Sequence, residues 1–491
     1  MPWSRTKFLS VSLGTGAAAL GLRSPASAYP GTTAFTGLRL IDGTGAPPVA
    51  DAVLVVDASG KVTAAGPRAS TTIPSGAQTV DLGGATVIPA LLDAHAHVGL
   101  LRGNVLSTDN YTADNVHAHL AKFAAYGVYA VQALGTDNDL IYEIRAAQRA
   151  AGAAPVGEAR IVTAGHGFGA AGGGWPPQNV GKFAYRPTTV DEARANVREL
   201  AAKKPDIVKL WVDDNFATAP RLPVPVEKAI IDEAHANGLR VATHLFYLDD
   251  AKRLVGEGVD VIGHSVRDQA IDNELVAMMK ARNVVYVPTM TIDESHYIYA
   301  DRPAWMNDPF FKNAMSPDVY AYLSSDAYRD KVKADPNTPK WRAAAELSKR
   351  NAALAQAGGV TVGMGTDAGA AVERIMGFDP HRELELMVTS AGFMPIEAIR
   401  AGTVVSAMAM GPRGAQLGAL APGKYANFLV LEKDPLADIR NTRTIKQIYY
   451  HGQKAQTVSL ETLHARDTAA TVLPPEVLFD PANRHLRSIC C

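Results

Sequence analysis

With 491 residues, 47% of them hydrophobic, the chain can bury a sizeable core and is long for one simple domain. Its 48 Lys and Arg against 49 Asp and Glu leave a formal charge of −1, so there is neither a basic field for nucleic acid nor a polybasic patch for a membrane surface. The only cysteines, Cys490 and Cys491, are adjacent at the far end, which excludes an internal disulfide framework, a cysteine-ligated metal and a mid-chain thiol nucleophile.

In chain order, the first feature is Arg5 and Lys7 ahead of a short apolar stretch from Phe8 to Leu22, closed by Ala26-Ser27-Ala28. This pattern predicts an export signal over 1–28, cleaved near Ala28, and a periplasmic or secreted protein. SRTKFL is similar to a twin-arginine signal, with Arg5 alone of the arginine pair, so the export route is left open. No later stretch is long and apolar enough to span a bilayer, so no stable membrane anchor is expected. From Thr33 to Val87 short β runs are split by Gly, Pro and Asp, and a matching stretch, GKYANFLVLEKDP with TIKQIYYHGQ, lies near the other end. The two are expected to join as a composite β-sandwich from 31–88 and 403–455, bracketing the middle of the chain.

The middle, 89–402, alternates β-rich apolar runs with amphipathic helical stretches. The runs are TVIPALLDAHAH, GVYAVQAL, ARIVTAGH, DIVKLWVDD, LRVATHLF, VDVIGHS, NVVYVPTM and VTVGMGTDAG. Eight such units predict an α/β chain folded as a (β/α)8 TIM barrel. A stretch at 291–358, rich in Tyr, Trp, Asp and Pro, reads as an insertion serving as a lid or specificity element. The tail 456–491 has little pattern and reads as peripheral.

Barrel active sites gather at the C-terminal ends of the strands, so each run is asked what sits there. Run one ends in His95 and His97, which share a face of the strand because they are two residues apart. Run four carries Lys209, run five ends at His244, run six at His264 and run eight at Asp367. One such histidine would be an ordinary hydrogen-bonded core residue; the ordered set points to a metal site.

Other features carry less. Gly167 to Gly172 spells G-x-G-x-x-G, but Gly173-Gly174-Trp175-Pro176-Pro177 follows and cannot open the helix that a dinucleotide site requires. His117 and His119 fall in a helical stretch, where residues two apart diverge, and read as structural, as does His235. There is no G-x-S-x-G elbow for a serine nucleophile.

The series His-x-His, Lys, His, His, Asp on runs one, four, five, six and eight resembles the metal-dependent amidohydrolase superfamily. Within it the chain is most similar to the imidazolonepropionase-like branch that includes Xaa-Pro dipeptidases and ochratoxinase-type amidases. The likeness runs from about Ala34 to Gly452, and GAQLGALAPGKYANFLVLEKDPL looks like the closing strand region. Asn427 stands where the family usually has Asp, outside the metal set. The resemblance implies two divalent ions, His95, His97 and Asp367 holding one and His244 and His264 the other. It further implies a CO2-derived carbamate on Lys209, whose anionic oxygens could bridge the ions where an ammonium would be repelled; an ordinary lysine paired with Asp213 or Asp214 is the alternative. Neutral imidazoles suit zinc, with manganese, cobalt or iron also open. His381, in DPHRELELM, resembles a recurrent His-x-Glu-Leu of the family and reads as support or a helix start.

The expected reaction is hydrolysis of a C–N bond in a small dipeptide, N-acyl amino acid or xenobiotic amide. A hydroxide between the ions would attack, with Asp367 as base and then acid. His166, ending run three, is the side-chain candidate for steadying the oxyanion, with a loop-packing histidine as its alternative. Tyr247 could touch substrate or be a rim tyrosine. The same centre could instead cleave an ester, carbamate, lactone or phosphotriester, and a non-catalytic barrel binding a small ligand or metal is the rival from another class. The partner expected is a small-molecule amide; a homo-oligomer is left open.

Overall fold

The structure, a computed structural model, describes residues 31–151, 157–177, 181–456, 472–480 and 482–483. The expected export signal and the Cys490–Cys491 pair lie outside these residues. Among them no helix is long and apolar enough to cross a membrane.

The described chain opens with four strands, β1 Thr33–Leu40, β2 Val49–Val56, β3 Val62–Pro67 and β4 Gln78–Pro89. It then enters β5 Leu91–Ala96, a hairpin of β6 Leu101–Arg102 and β7 Val105–Leu106, and seven further strands: β8 Val128–Ala133, β9 Arg160–Thr163, β10 Val208–Val212, β11 Val241–Leu245, β12 Val261–Ile262, β13 Val285–Tyr286 and β14 Thr361–Val362. All eight runs read from the sequence are strands. They pair in parallel as β5-β8-β9 and β10-β11-β12-β13-β14. Backbone bonds cross both gaps: Phe168 N–H to Lys209 O (2.8 Å) and Trp211 N–H to Phe168 O (2.9 Å) on one side, Ala94 N–H to Met364 O (3.0 Å) and His97 N–H to Ala368 O (2.8 Å) on the other. Helices return between successive strands, giving a TIM-barrel-like α/β fold.

Local sequence explains these elements. β10 and β11 are buried along their whole length, as expected of parallel strands covered on both faces. Helix Val190–Ala202 starts on a reciprocal cap between Thr189 and Glu192, and buries Ala193, Val197 and Leu200, spaced to share one face. Between β13 and β14 lie short helices from Met290–Ser295 to Asp326–Ala334; Thr338–Ala357 then makes the return to β14.

The last strands, β15 Phe428–Leu431, β16 Ile445–Tyr450 and β17 Gln453–Lys454, return to the beginning. β15 pairs antiparallel with β4, and the seven-stranded sheet runs β17-β16-β15-β4-β1-β2-β3. Phe35, Phe428 and Tyr449 pack together on it, with ring centroids 4.6–5.1 Å apart. Full burial of a side chain such as Phe is worth about 1.5–3 kcal/mol, so this cluster ties the two ends of the described chain together. Residues 472–480 lie against the barrel: Asn104 exchanges two hydrogen bonds with the backbone of Leu473 (2.7 and 2.8 Å), and Leu478 is fully buried.

Candidate metal centre and active site

The strand ends bring six side chains, His95, His97, Lys209, His244, His264 and Asp367, into full burial. Parallel register places Lys209 beside Ala242 and Trp211 beside His244. With a period of two, Lys209 and His244 therefore share one face of the sheet. The rings of His95 and His244 each lie 4.5 Å from that of His264. Asp367 Oδ1 lies 3.1 Å from His95 Nε2 and 2.9 Å from His97 Nε2. Lys209 Nζ is 3.5 Å from His95 Nε2. Ligand atoms of His95, His264 and Asp367 fall within 4.8 Å of one another.

Two glycines make this approach feasible. A Cβ on Gly263 would stand 3.1 Å from His95 Nδ1, and one on Gly365 would stand 2.8 Å from His95 N, so any larger residue would push His95 off its position. Asp367 itself has φ +59°, a strained setting for a non-glycine residue. It is held there by its own N–H to His95 O (2.6 Å) and by Asp93, which accepts from Thr366 N and from the Thr366 hydroxyl (3.1 and 2.5 Å).

Each histidine is fixed through one ring nitrogen. His95 Nδ1–H donates to Gly263 O (2.6 Å) and His244 Nε2–H to the Asp213 carboxylate (2.7 Å). His97 Nδ1 meets the Thr136 hydroxyl (2.8 Å), and His264 Nδ1 that of Thr289 (2.7 Å). A carbonyl oxygen can only accept, so His95 carries its proton on Nδ1 and turns the Nε2 lone pair to the cluster. Burial, aided by Lys209, pushes His95 down to about 3, and burial pushes His244 down to about 4. Burial also carries His264 well below the ordinary histidine range. These rings are neutral at pH 7, the form that ligates a metal. Burial alone would raise Asp367, but the Arg374 guanidinium on Oδ2 and the neighbouring histidines outweigh it and keep the carboxylate ionised.

His264 Nε2 is buried with no hydrogen-bond partner. His97 Nε2 and Asp367 Oδ1, also buried, make no well-directed hydrogen bond although they lie 2.9 Å apart. A buried polar atom left unsatisfied costs about 1–3 kcal/mol. Imidazole nitrogens and a carboxylate oxygen turned to one place, each ring steadied from behind, fit a divalent cation of borderline softness.

The remaining sequence candidates have other neighbours. His166 Nε2 faces Asp139 (3.3 Å), and its ring packs against Phe183 and Tyr185. Tyr247 donates to Asp214 Oδ1 (2.7 Å), with the Arg221 guanidinium over its ring. Of the alternative partners considered for Lys209, Asp213 accepts from His244 (2.7 Å) and Asp214 pairs with Arg221 (2.6 Å). His381 is buried and bonded at both nitrogens, Nε2–H to Tyr126 O and Nδ1 to the Thr442 hydroxyl (2.9 and 3.0 Å). His117 pairs with Glu158, His119 accepts from Gly99 N–H and His235 pairs with Asp260, all as packing residues.

Sequence reasoning missed the roles of Asp93, Thr136, Thr289 and Arg374, and offered Asp213 only as a partner of Lys209, not of His244. Asp93 and Asp213 had a signal, standing two residues before His95 and one past the end of β10. Arg374 had none: it lies in a loop seven residues past Asp367 and is fully buried against it. Arg374 also lines an open cavity with Trp175, Phe216, His296, Trp341 and Phe479.

Residues 86–454 match the model of the Amidohydrolase family. An uncharacterized protein of Mycobacterium tuberculosis is 29% identical over 232 residues, 45% of this chain and 55% of that protein. Ochratoxinase of Aspergillus niger is 24% identical over 258 residues, 51% of this chain and 46% of that enzyme. The chain thus spans about half the length of the curated relatives it matches. Among solved structures, a Xaa-Pro dipeptidase with methionine in its active site superposes with a TM-score of 0.66 at 21% identity, covering 86% of this chain and 99% of that one. Molinate hydrolase superposes at 0.66 and 20% identity, covering 91% and 99%. At this identity the likeness is one of fold.

Proposed function

Because the chain belongs to the amidohydrolase family, we propose that it is a metal-dependent hydrolase of small amides: a dipeptide, an N-acyl amino acid or a xenobiotic amide. The observation that carries this reading is the convergence of the buried ligand atoms of His95, His264 and Asp367, within 4.8 Å of one another, beyond the C-terminal ends of parallel strands. The same reading takes the eight strands as a closed (β/α)8 barrel and the end-built sheet as a folded-over sandwich.

In this reading His95, His97 and Asp367 would hold one divalent ion. His264 through Nε2 and His244 through Nδ1, since its Nε2 serves Asp213, would hold a second, with zinc suited to the set. Lys209, its Nζ against His95, would bridge the two as a carbamate, which replaces a buried cation by an anion where cations gather. Bound ions would polarise the amide carbonyl and acidify an attacking water. The chain supplies the rest. Asp367 takes the water's proton on its carboxylate and returns it to the leaving nitrogen, which an amide cannot release as an anion. Arg374 grips Oδ2 and keeps that carboxylate aimed. Asp93, Asp213, Thr136 and Thr289 hold their partners still, so little reorganisation is left for the reaction. His166 and Tyr247 stay proposals for substrate contact; Tyr247 would have to leave Asp214.

Elemental analysis is expected to find about two divalent ions per chain. Hydrolysis of N-acyl amino acids, dipeptides or p-nitroanilides should stop with chelator and return with zinc. A metal-free preparation with full activity would overturn the reading.

A further inference from the structure

We propose that the C-terminal segment 472–480 completes the substrate site, with Phe479 as a specificity-determining residue closing a recess for a planar, uncharged aromatic group of the amide. The inference rests on the hydrolase reading for the reaction, but not for the recess itself.

Five separate stretches build the recess: Trp175 from the loop after β9, Phe216 from the loop after β10, His296 and Trp341 from the helical stretch between β13 and β14, Arg374 from the loop after β14, and Phe479. Its floor is flat. His296 stacks on Trp341 with ring centroids 4.0 Å apart and planes 9° apart, and Phe216 stands edge-on to Trp341 at 4.8 Å. Rings arranged so offer faces and edges to one more ring. The Trp175 indole N–H is buried with no acceptor, so a bound group can add one hydrogen bond.

The lining carries charge of both signs. Arg374 serves Asp367, Lys340 Nζ lies over the Phe216 ring at 5.1 Å, and Glu373 and Asp335 contribute carboxylates. The recess therefore selects shape and aromaticity rather than charge. It also adjoins the chemistry: Arg374 reaches His296 Nε2 with Nη2 (3.5 Å) and Asp367 Oδ2 with Nη1. One side chain separates an occupant of the recess from the residue that moves the proton.

Phe479 is anchored. Leu478 beside it is fully buried, the Phe479 ring meets buried Tyr328 edge-on at 5.8 Å, and Asn104 clamps Leu473. The segment thus spans from the barrel to the insertion, and its last ring remains partly exposed toward the cavity.

The test measures N-benzoylglycine and N-acetylphenylalanine, each against N-acetylglycine, in wild type, Phe479→Ala, Phe479→Tyr and, as a control exposed in the same turn, Val477→Ala. Hydrolysis gives KM and kcat, and calorimetric titration gives Kd. At least one aromatic ligand should bind wild type about tenfold tighter than N-acetylglycine, as one ring–ring contact allows. Phe479→Ala should remove most of that preference by raising KM and Kd for the aromatic ligand, with kcat within about twofold. Phe479→Tyr and Val477→Ala should keep it. Equal binding of aromatic and acetyl ligands to wild type, or a Phe479→Ala change shared by both, overturns the proposal. If Phe479→Ala fails to fold, Phe479→Leu decides in its place. If nothing is hydrolysed, the calorimetric preference still decides the recess, and only the hydrolase reading falls.

Discussion

The strand-end cluster and the aromatic recess adjoin through Arg374, yet they are built by opposite means. The cluster draws its side chains from or just beyond five parallel strands, where register and pleat dictate direction, and all six are fully buried. The recess draws its rings from loops, from the helix Thr338–Ala357 and from the segment 472–480, which no common sheet aligns. The first arrangement suits chemistry, which needs atoms fixed to a fraction of an ångström. The second suits selectivity, which can be rebuilt by changing loops while the strands stay as they are. Substitutions should sort accordingly, with losses of turnover from the cluster and changes of preference from the recess.

The largest effect is expected at Lys209. If its side chain bridges two ions, Lys209→Ala should lose metal and turnover together, down to the level of the metal-free protein. Short carboxylic acids should restore part of the activity by occupying the bridging place. Elemental analysis beside a turnover assay checks this, and a variant that keeps both ions and normal turnover would make Lys209 an ordinary core lysine.

Next comes Asp367→Asn, which keeps the shape and one coordinating oxygen and removes the base. Turnover of an amide should fall by about 10²–10⁴ with KM little changed, because the lost interaction belongs to the transition state. An activated ester such as a p-nitrophenyl ester should lose less, since its leaving group departs without a proton. Amide turnover within a few-fold of wild type, with metal in place, would pass the proton to another residue.

The same division explains what the sequence could tell. All eight strand runs and the convergence of the histidine, lysine and aspartate series were legible, because parallel strands advertise themselves as apolar runs and their ends carry the polar exceptions. Asp93 was visible inside DAHAH but carried no sign of its reach to Thr366, 273 positions away. Phe479 was not legible at all: its tail has no period, and its role comes from a cavity that forms only when five distant stretches meet. His166 shows the converse, a residue at the right end of the right strand whose ring the structure turns toward Asp139. Strand position tells where a side chain starts; which neighbour claims it is a tertiary matter.

A buried histidine remote from both regions gives the smallest effect and calibrates the larger ones. His381 is as buried as the histidines of the cluster, but both of its nitrogens are spent on Tyr126 and Thr442, so no lone pair is left to hold an ion. Burial lowers it to about 3, against an ordinary value of 6.5, despite its bond to the Tyr126 carbonyl. Below pH 6.5 the unfolded chain takes up a proton that the folded chain refuses until about pH 3. Acidification through that window therefore favours unfolding, and stability rises again with pH. Between pH 7 and pH 5 this one residue should cost the fold about 2 kcal/mol. His381→Gln should be less stable at pH 7 for want of its two bonds, but should lose about 2 kcal/mol less than wild type between those pH values in denaturant titrations of the metal-free protein. Its metal content and its kcat per folded molecule should match wild type. His264→Asn should flatten the acid slope in the same way and also lose metal. Two histidines alike in burial and in direction of shift would then differ only in what their second nitrogen faces, and a His381→Gln variant that lost metal would erase that distinction.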